Sequence, residues 1–519
     1  METINYLVDG LAAILTVKNL LLLSAGVLLG QIIGVMPGLG PTAGIAILLP
    51  LTFNADPTGA IIMLAAIYYG SMYGGTITAV LINTPGESAT VATTFDGYPM
   101  AKKGRAGQAL VIAAGASFMA GIVGAVLICV AAPLATRVTT SFGPPEIFLL
   151  VLAGLLTLVV IIDGSILLGL LSALLGFAIA TVGLDVGTGA QRFTFGSPDL
   201  IGGIDFVPVA IGMFGVAEVL QALLRGEHRG PGSPVDSSGR LRDIWPNRQE
   251  VRESTGPAAR GSVLGFFVGA TPGAGATIAS LMSYNLEKSI SKEPERFGQG
   301  APAGVAGPEA ANNAAATGAL VPMLSLGIPG SSSTAILLGA FLMWGLQPGP
   351  LLMEQNPEFA WGLIASMFLG NVMLLLINVF TIPVFASIAK VPLRYLATPI
   401  IVLATYGTYA INKSVLDVAV MLAAAVLGLF MRRFGMSCAA LIIALVLGPL
   451  AEMSLRQTLI ISDGSLGIFL ERQASVVLLA CLGAIFALPF AISRIRRRLS
   501  ASSAKPSETD EPKLPTPLG

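Results

Sequence analysis

Long apolar stretches, broken by glycine and proline and only rarely by charge, set the pattern of this chain. Charge-free runs cover 19–55, 57–86, 106–136, 164–184, 261–286, 310–353, 359–389 and 473–493, each at or above the roughly 20 residues that cross a bilayer as a helix. Shorter runs lie at 147–162, 395–412, 418–431 and 434–451. Strand-like alternation is absent, which argues against a membrane barrel. The pattern predicts an all-α polytopic integral membrane protein with about 10–14 membrane segments.

Several of these runs are interrupted where an unbroken helix is expected. Gly34 to Thr42 reads GVMPGLGPT. Glycine and proline are poor helix formers, and an interrupted helix in hydrocarbon leaves main-chain N–H and C=O groups to be satisfied by something else. The 310–353 run is too long for one helix, and Pro322, Pro329, Pro348 and Pro350 divide it.

The interruption recurs. A shift of 235 places Gly34, Pro37, Gly38, Gly40 and Thr42 on Gly269, Pro272, Gly273, Gly275 and Thr277, and 8 of 17 positions agree between 26–42 and 261–277. A shift of 244 sets NTPGESAT at Asn83–Thr90 against GIPGSSST at Gly327–Thr334. Each half thus holds a PGxGxT break followed by a PG-x-S-x-T break. Paired interruptions in a duplicated chain are the pattern of secondary transporters, whose broken helices meet near the bilayer midplane. The expected organisation is a first transmembrane repeat over 1–224, a basic cytoplasmic linker over 225–260, a second repeat over 261–493, and a basic, then disordered, cytoplasmic tail over 494–519. Inverted repeats with broken helices or re-entrant hairpins are favoured by analogy with other carriers; residue spacing alone leaves a parallel arrangement open.

A break of this kind is chemically useful. The half-helix that restarts exposes N–H groups and attracts anions, whereas the half that ends exposes carbonyls and attracts cations. Gly38, Gly40, Gly273 and Gly275 are expected to offer main-chain donors, and Thr42, Asn83, Ser88, Thr277, Ser331 and Ser332 side-chain ligands. Thr84, Pro85, Gly86 and Gly330 complete the substrate-binding set. Asn312, Asn313 and Ser325 are candidate ion ligands. Packing is the competing use of small residues, and Gly26, Gly30 and Gly34, spaced one turn apart, read as a helix-packing stripe. Capping competes for the serines at 331–333. Glu87 is equally a substrate or proton group and a water-exposed hairpin tip. Asp163, Asp185 and Asp199 read as loop residues, whereas Glu218 and Glu309 stand out because carboxylates inside a membrane are costly and tend to have partners.

Composition sharpens the class. Of 519 residues 54% are hydrophobic and 11% charged, against roughly 25% charged in soluble domains. Mean hydropathy is +0.80. Net charge is zero, but arginines crowd 225–260 and 494–498, which places both segments on the cytoplasmic side by the positive-inside rule. Acidic residues interspersed in the first of these clusters, and few aromatic stacking positions, argue against nucleic-acid binding. Glu2 and Asp9 replace the basic start of a cleavable signal, so the first segment is expected to stay in the lipid. Cys129, Cys438 and Cys481 stand singly and read as small buried hydrophobes, with no metal site to serve.

Enzyme motifs do not hold up. Residues 38–43 match GxGxxA, but membrane segments flank them instead of a βαβ unit; Gly269–Thr277 lacks the lysine of a phosphate loop. The one histidine, His228, lies in a charged loop, so no histidine triad can form in the membrane, and catalysis is not expected.

Four blocks together resemble the large membrane subunit of the tripartite tricarboxylate transporter family, the TctA type. They are GVMPGLGPTAGIAILLP from 34, the stretch from YYGSMYGGT at 68 through NTPGESATVATTFDGYPMAKKGRAGQAL to 110, GATPGAGATIASLMSY from 269, and GPEAANNAAATGALVPMLSLGIPGSSSTAILLGAF from 307. The resemblance runs from about residue 10 to 495. It implies an ion-driven importer of small carboxylates, tricarboxylates or dicarboxylates, in a bacterial inner membrane. It also implies a smaller membrane subunit, a periplasmic solute-binding protein, and Na⁺ or H⁺ as coupling ion with no other cofactor. The alternatives are a carboxylate-permeable channel and, more remotely, an intramembrane hydrolase.

Overall fold

A computed structural model describes residues 2–483 apart from 37, 54, 140–141, 162–164, 186, 225–243, 274 and 389–392. Pro37, Asp163, His228, much of the expected linker and the whole expected tail therefore lie outside the described residues.

The first half begins with α1 (Glu2–Ile14), α2 (Val17–Val35), α3 (Gly40–Leu48), α4 (Pro57–Ile82), α5 (Val91–Lys102) and α6 (Ala106–Thr139). It continues through α7 (Pro144–Ile161), α8 (Ile166–Ala180), α9 (Phe206–Ala210) and α10 (Ala217–Leu224), the last two joined by a π-helical turn. The second half opens with α11 (Arg248–Ala270), α12 (Gly275–Ile290), α13 (Pro302–Gly318), α14 (Leu320–Leu326), α15 (Ser332–Met343) and α16 (Pro350–Gln355). After it come α17 (Pro357–Ile388), α18 (Leu393–Asn412), α19 (Val415–Arg433), α20 (Cys438–Ile461) and α21 (Ile468–Glu471). Among the described residues the only strands are a two-residue pair, Gly183–Leu184 with Gln191–Arg192. Seven helices there are long and apolar enough to cross a membrane, and shorter apolar ones, Gly40–Thr52 and Ser332–Met343 among them, reach only part-way. The chain is an all-α, multi-pass membrane protein.

Two buried helices form its axis. Between Gly59 and Leu81 every residue of α4 is buried, and α13 is buried throughout except at Ala303. The small residues expected to pack are what bring a second helix against each axis. Gly26, Gly30 and Gly34 of α2 lie on the main chain of α4 at Met63, Ile67 and Ser71, while Gly261, Gly265 and Gly269 of α11 lie on α13 at Gly307, Ala311 and Ala315. A side chain at Gly34 or Gly269 would fall on a carbonyl oxygen of the facing helix, so only glycine permits the approach. The two sets of contacts are related by the same shifts, 235 and 244, that relate the sequence motifs.

Helix α11 begins inside the expected linker, where Asn247 and Glu250 form a reciprocal cap (Glu250 N–H to Asn247 Oδ1, 2.9 Å; Asn247 N–H to Glu250 Oε2, 2.7 Å). The expected division of 310–353 is present: Pro322 lies in the first turn of α14, just after α13 ends at Gly318, and the chain turns again at Gly327, whose φ of 70° is left-handed.

Candidate solute and ion site

All four breaks are present, and each is built by hydrogen bonds that recur in the other half. After α2 the chain turns extended at Met36 (φ −84°, ψ 109°), and after α11 it does so at Thr271 (φ −84°, ψ 112°). Gly38 and Gly273 then take φ of 90° and 85°, and Gly40 and Gly275 take 57° and 69°. Those values favour glycine, and they aim the chain back so that α3 and α12 return. The second breaks follow one plan too. Asn83 and Gly327 are left-handed, at φ 54° and 70°; Thr84 N–H reaches Thr78 O at 3.3 Å, and Ile328 N–H reaches Pro322 O at 3.2 Å. Within each half the two breaks are tied together, by Gly38 N–H to Gly86 O (3.3 Å) and by Gly273 N–H to Gly330 O (3.1 Å).

Side chains join the halves. Thr42 Oγ1 lies 2.8 Å from Ser333 Oγ, and Thr277 Oγ1 donates to Ser88 Oγ at 2.9 Å. Each PGxGxT threonine therefore meets a serine of the opposite half's second break. A second reciprocal pair follows the 244 shift, with Tyr68 Oη 3.3 Å from Ser331 Oγ and Asn312 Nδ2 donating to Glu87 Oε1 at 3.4 Å. Gly38, Asn83 and Ser88 are exposed, and Gly40, Thr42, Thr84, Pro85, Gly273, Gly275, Thr277, Ser331 and Ser332 are partly so. Nothing stands where a side chain at Gly38, Gly40 or Gly275 would project. Helix restarts and hydroxyls thus face an accessible space.

Other expected residues behave differently. Ser331 caps α15, accepting from Thr334 N–H at 3.3 Å while Thr334 Oγ1 accepts from Ser331 N–H at 2.8 Å. Capping and the contact with Tyr68 coexist there. Thr84 Oγ1 turns back to Ile82 O (3.3 Å). Ser325 Oγ bonds Val321 O one turn earlier on α14 (2.7 Å). Asn313 bonds to Ser117 Oγ (2.8 Å) and the Glu309 carbonyl (3.0 Å) instead of to residues of the breaks. Glu218 pairs with Arg432, and Asp185 sits in the loop after α8 with Arg192 and Arg456.

A family model described as the tripartite tricarboxylate transporter TctA family matches residues 20–443. The chain belongs to that family. A relative from Agrobacterium vitis, described as an uncharacterized 52.8 kDa protein in the TAR-I ttuC' 3' region, is 45% identical over 480 residues, covering 92% of this chain and 95% of the relative. A second protein of that organism, described as uncharacterized and from the TAR-II ttuC' 3' region, is 39% identical over 234 residues, 45% of this chain and 96% of its own length. No solved structure matches significantly. Membership makes the chain the large membrane subunit of a tripartite tricarboxylate transporter.

In this TctA-family chain the sequence reading missed Tyr68, which the 244 shift sets opposite Asn312 and could have singled out. It also left Glu309 without ligands. Glu309 is 1% exposed on α13, and it gathers Thr76, Thr93 and Ser117 from three other helices.

Proposed function

We propose that this chain is the permease of an ion-coupled secondary transporter that imports small carboxylates carrying two or three negative charges. The observation that carries the reading is the reciprocal pairing of Thr42 with Ser333 and Thr277 with Ser88, which draws the restarts after all four breaks into one ring. Hydroxyls and main-chain N–H groups at helix starts suit carboxylate oxygens, each such bond contributing roughly 1.5–3 kcal/mol. No fixed cation is needed to hold the anion, which favours its release.

The two halves are read as inverted copies. Supporting this, Thr76 of α4 meets Glu309 of α13, whereas Tyr68, about two turns earlier on α4, meets Ser331, beyond the far end of α13. The axis helices thus pass in opposite directions. An inverted pair around a shared ring can open to either side by exchanging the roles of its halves. The word tripartite in the family description supports two further subunits, a periplasmic solute-binding protein and a small membrane subunit. The inner membrane is the compartment that fits such a partner, with the arginine-rich C-terminal tail in the cytoplasm.

The test is uptake of radiolabelled mono-, di- and tricarboxylates into proteoliposomes holding this chain with its partner subunits, with and without Na⁺. Saturable, ion-dependent uptake of a di- or tricarboxylate is expected, and Thr42→Val or Thr277→Val should raise the half-saturating concentration. Flux that grows linearly with concentration would instead establish a channel, and unchanged kinetics in both folded variants would remove the ring from the site.

A further inference from the structure

Glu309 sits in a cage of oxygens that the ring does not use. Its Oε2 accepts from Thr93 Oγ1 at 2.8 Å, and its Oε1 accepts from Thr76 Oγ1 and, at 3.5 Å, from Ser117 Oγ. Asn313, one turn along α13, donates to Ser117 Oγ at 2.8 Å, so the Ser117 proton is left to face the carboxylate. Four elements converge here, α4, α5, α6 and α13, and Thr76, Thr93, Ser117 and Glu309 are all at least 96% buried.

Three hydroxyl donors suit the charged form of the carboxylate, and a buried negative charge needs a countercharge. Among the described residues no lysine, arginine or histidine pairs with Glu309. Two further features mark the place. The Tyr73 hydroxyl, 2% exposed and one turn from Thr76, has no hydrogen-bond partner. With Thr76, Ser117 and Asn378, and beside Ile77, Leu110, Ala113 and Ala114, it lines a cavity of about 10 Å³ that meets the cage at the Thr76 and Ser117 side chains. That volume is too small for a carboxylate solute and comparable to what one water-sized particle occupies.

We propose that Glu309, with Thr76, Thr93 and Ser117, binds a sodium ion. Two carboxylate oxygens and three hydroxyl oxygens form a hard, oxygen-only donor set of the kind small inorganic cations prefer. The assignment of this ion as the one that travels with the solute rests on the carrier reading above. The link runs along α13, where Asn312 holds Glu87 in the second break, next to the Ser88 that Thr277 engages. The cage is built once per chain. The 244 shift sets Ala65 opposite Glu309, Leu320 opposite Thr76 and Leu337 opposite Thr93, so the other half has no counterpart.

The experiment measures ²²Na⁺ binding and thermal melting of the purified full chain, titrating NaCl against choline chloride at constant ionic strength with no carboxylate present. Saturable sodium binding that raises the melting temperature is expected, with half-saturation at least tenfold weaker in Glu309→Gln. Thr93→Val and Ser117→Ala, which keep the carboxylate, should weaken it severalfold and carry the test if Glu309→Gln does not fold. Unchanged half-saturation in folded variants, or a melting temperature that responds to pH and never to sodium, overturns the proposal. Carboxylate uptake is scored separately. Sodium binding that depends on Glu309 without any carboxylate uptake supports the cage and defeats the carrier reading, whereas sodium-independent carboxylate uptake in a chain that binds no sodium defeats the cage alone.

Discussion

The Thr42 hydroxyl lies 2.8 Å from that of Ser333, 291 residues further along the chain. Each belongs to the first turns of a helix that restarts after a break, so the contact places two helix beginnings side by side. Thr277 and Ser88 do the same for the other two restarts. In the proposed transporter Thr277 spends its proton on Ser88 and so orients the Ser88 O–H toward a carboxylate, and losing one such hydrogen bond costs roughly 1.5–3 kcal/mol, or about 10- to 150-fold in affinity. Thr42→Val and Thr277→Val should each weaken carboxylate binding by about tenfold or more, read by calorimetric titration, with the melting temperature of the empty protein little changed.

Glycines of the two kinds should fail differently. Gly38 has open space around a missing side chain but a φ of 90°, so Gly38→Ala carries only a backbone strain of about 1–3 kcal/mol. Gly34→Ala would drive a methyl group onto the Ser71 carbonyl and separate α2 from α4 along their length. Its yield of folded protein, followed by size-exclusion profile and melting temperature, should fall well below that of Gly38→Ala.

Asp96 is a fully buried anchor for the start of α13. Its Oδ1 accepts from Gly298, Gly300 and Ala301 N–H at 2.9, 2.7 and 2.8 Å, and its Oδ2 from Tyr284 Oη at 3.0 Å. Asp96→Ala leaves the buried Ala301 N–H and Tyr284 hydroxyl without this partner, at about 1–3 kcal/mol each, and removes the anchor of the Gly298 and Gly300 N–H groups. A melting temperature reduced far more than by Tyr284→Phe, which removes one of the four bonds, is the expected result.

The loop after α8 should respond to acid. The Thr188 N–H, followed by the Arg456 guanidinium and the Gly187 N–H, holds the Asp185 carboxyl down to about 2. Because the folded value lies below the usual carboxylate value near 4, the stabilisation is complete above that value and disappears as pH falls toward 2. The protection of main-chain amides around Asp185, taken as the exchange rate relative to the intrinsic rate at each pH, should be high at neutral pH and fall between about pH 4 and 2, and Asp185→Asn should remove that transition.

The breaks were readable because glycine beside proline is a local signal, and it was written twice. The packing role of Gly26, Gly30 and Gly34 was equally local, a spacing of one turn. Glu309's surroundings were not readable. Thr76, Thr93 and Ser117 each look ordinary on their own helices and meet only because α4, α5 and α6 converge on α13, information that no spacing along the chain contains. Asp96 was hidden for the same reason, since its partners lie about 200 residues away. Asn313, expected as an ion ligand, turns toward Ser117, a direction that depends on helix rotation and is not written in the spacing of residues.

Asp96 also bears on how the protein is made. The main chain that opens α13 finds its hydrogen-bond partner on α5, a helix synthesised about 200 residues earlier. The later portion of the molecule is thus moulded on the earlier one, and severing the chain between them should leave two fragments that mature together or not at all.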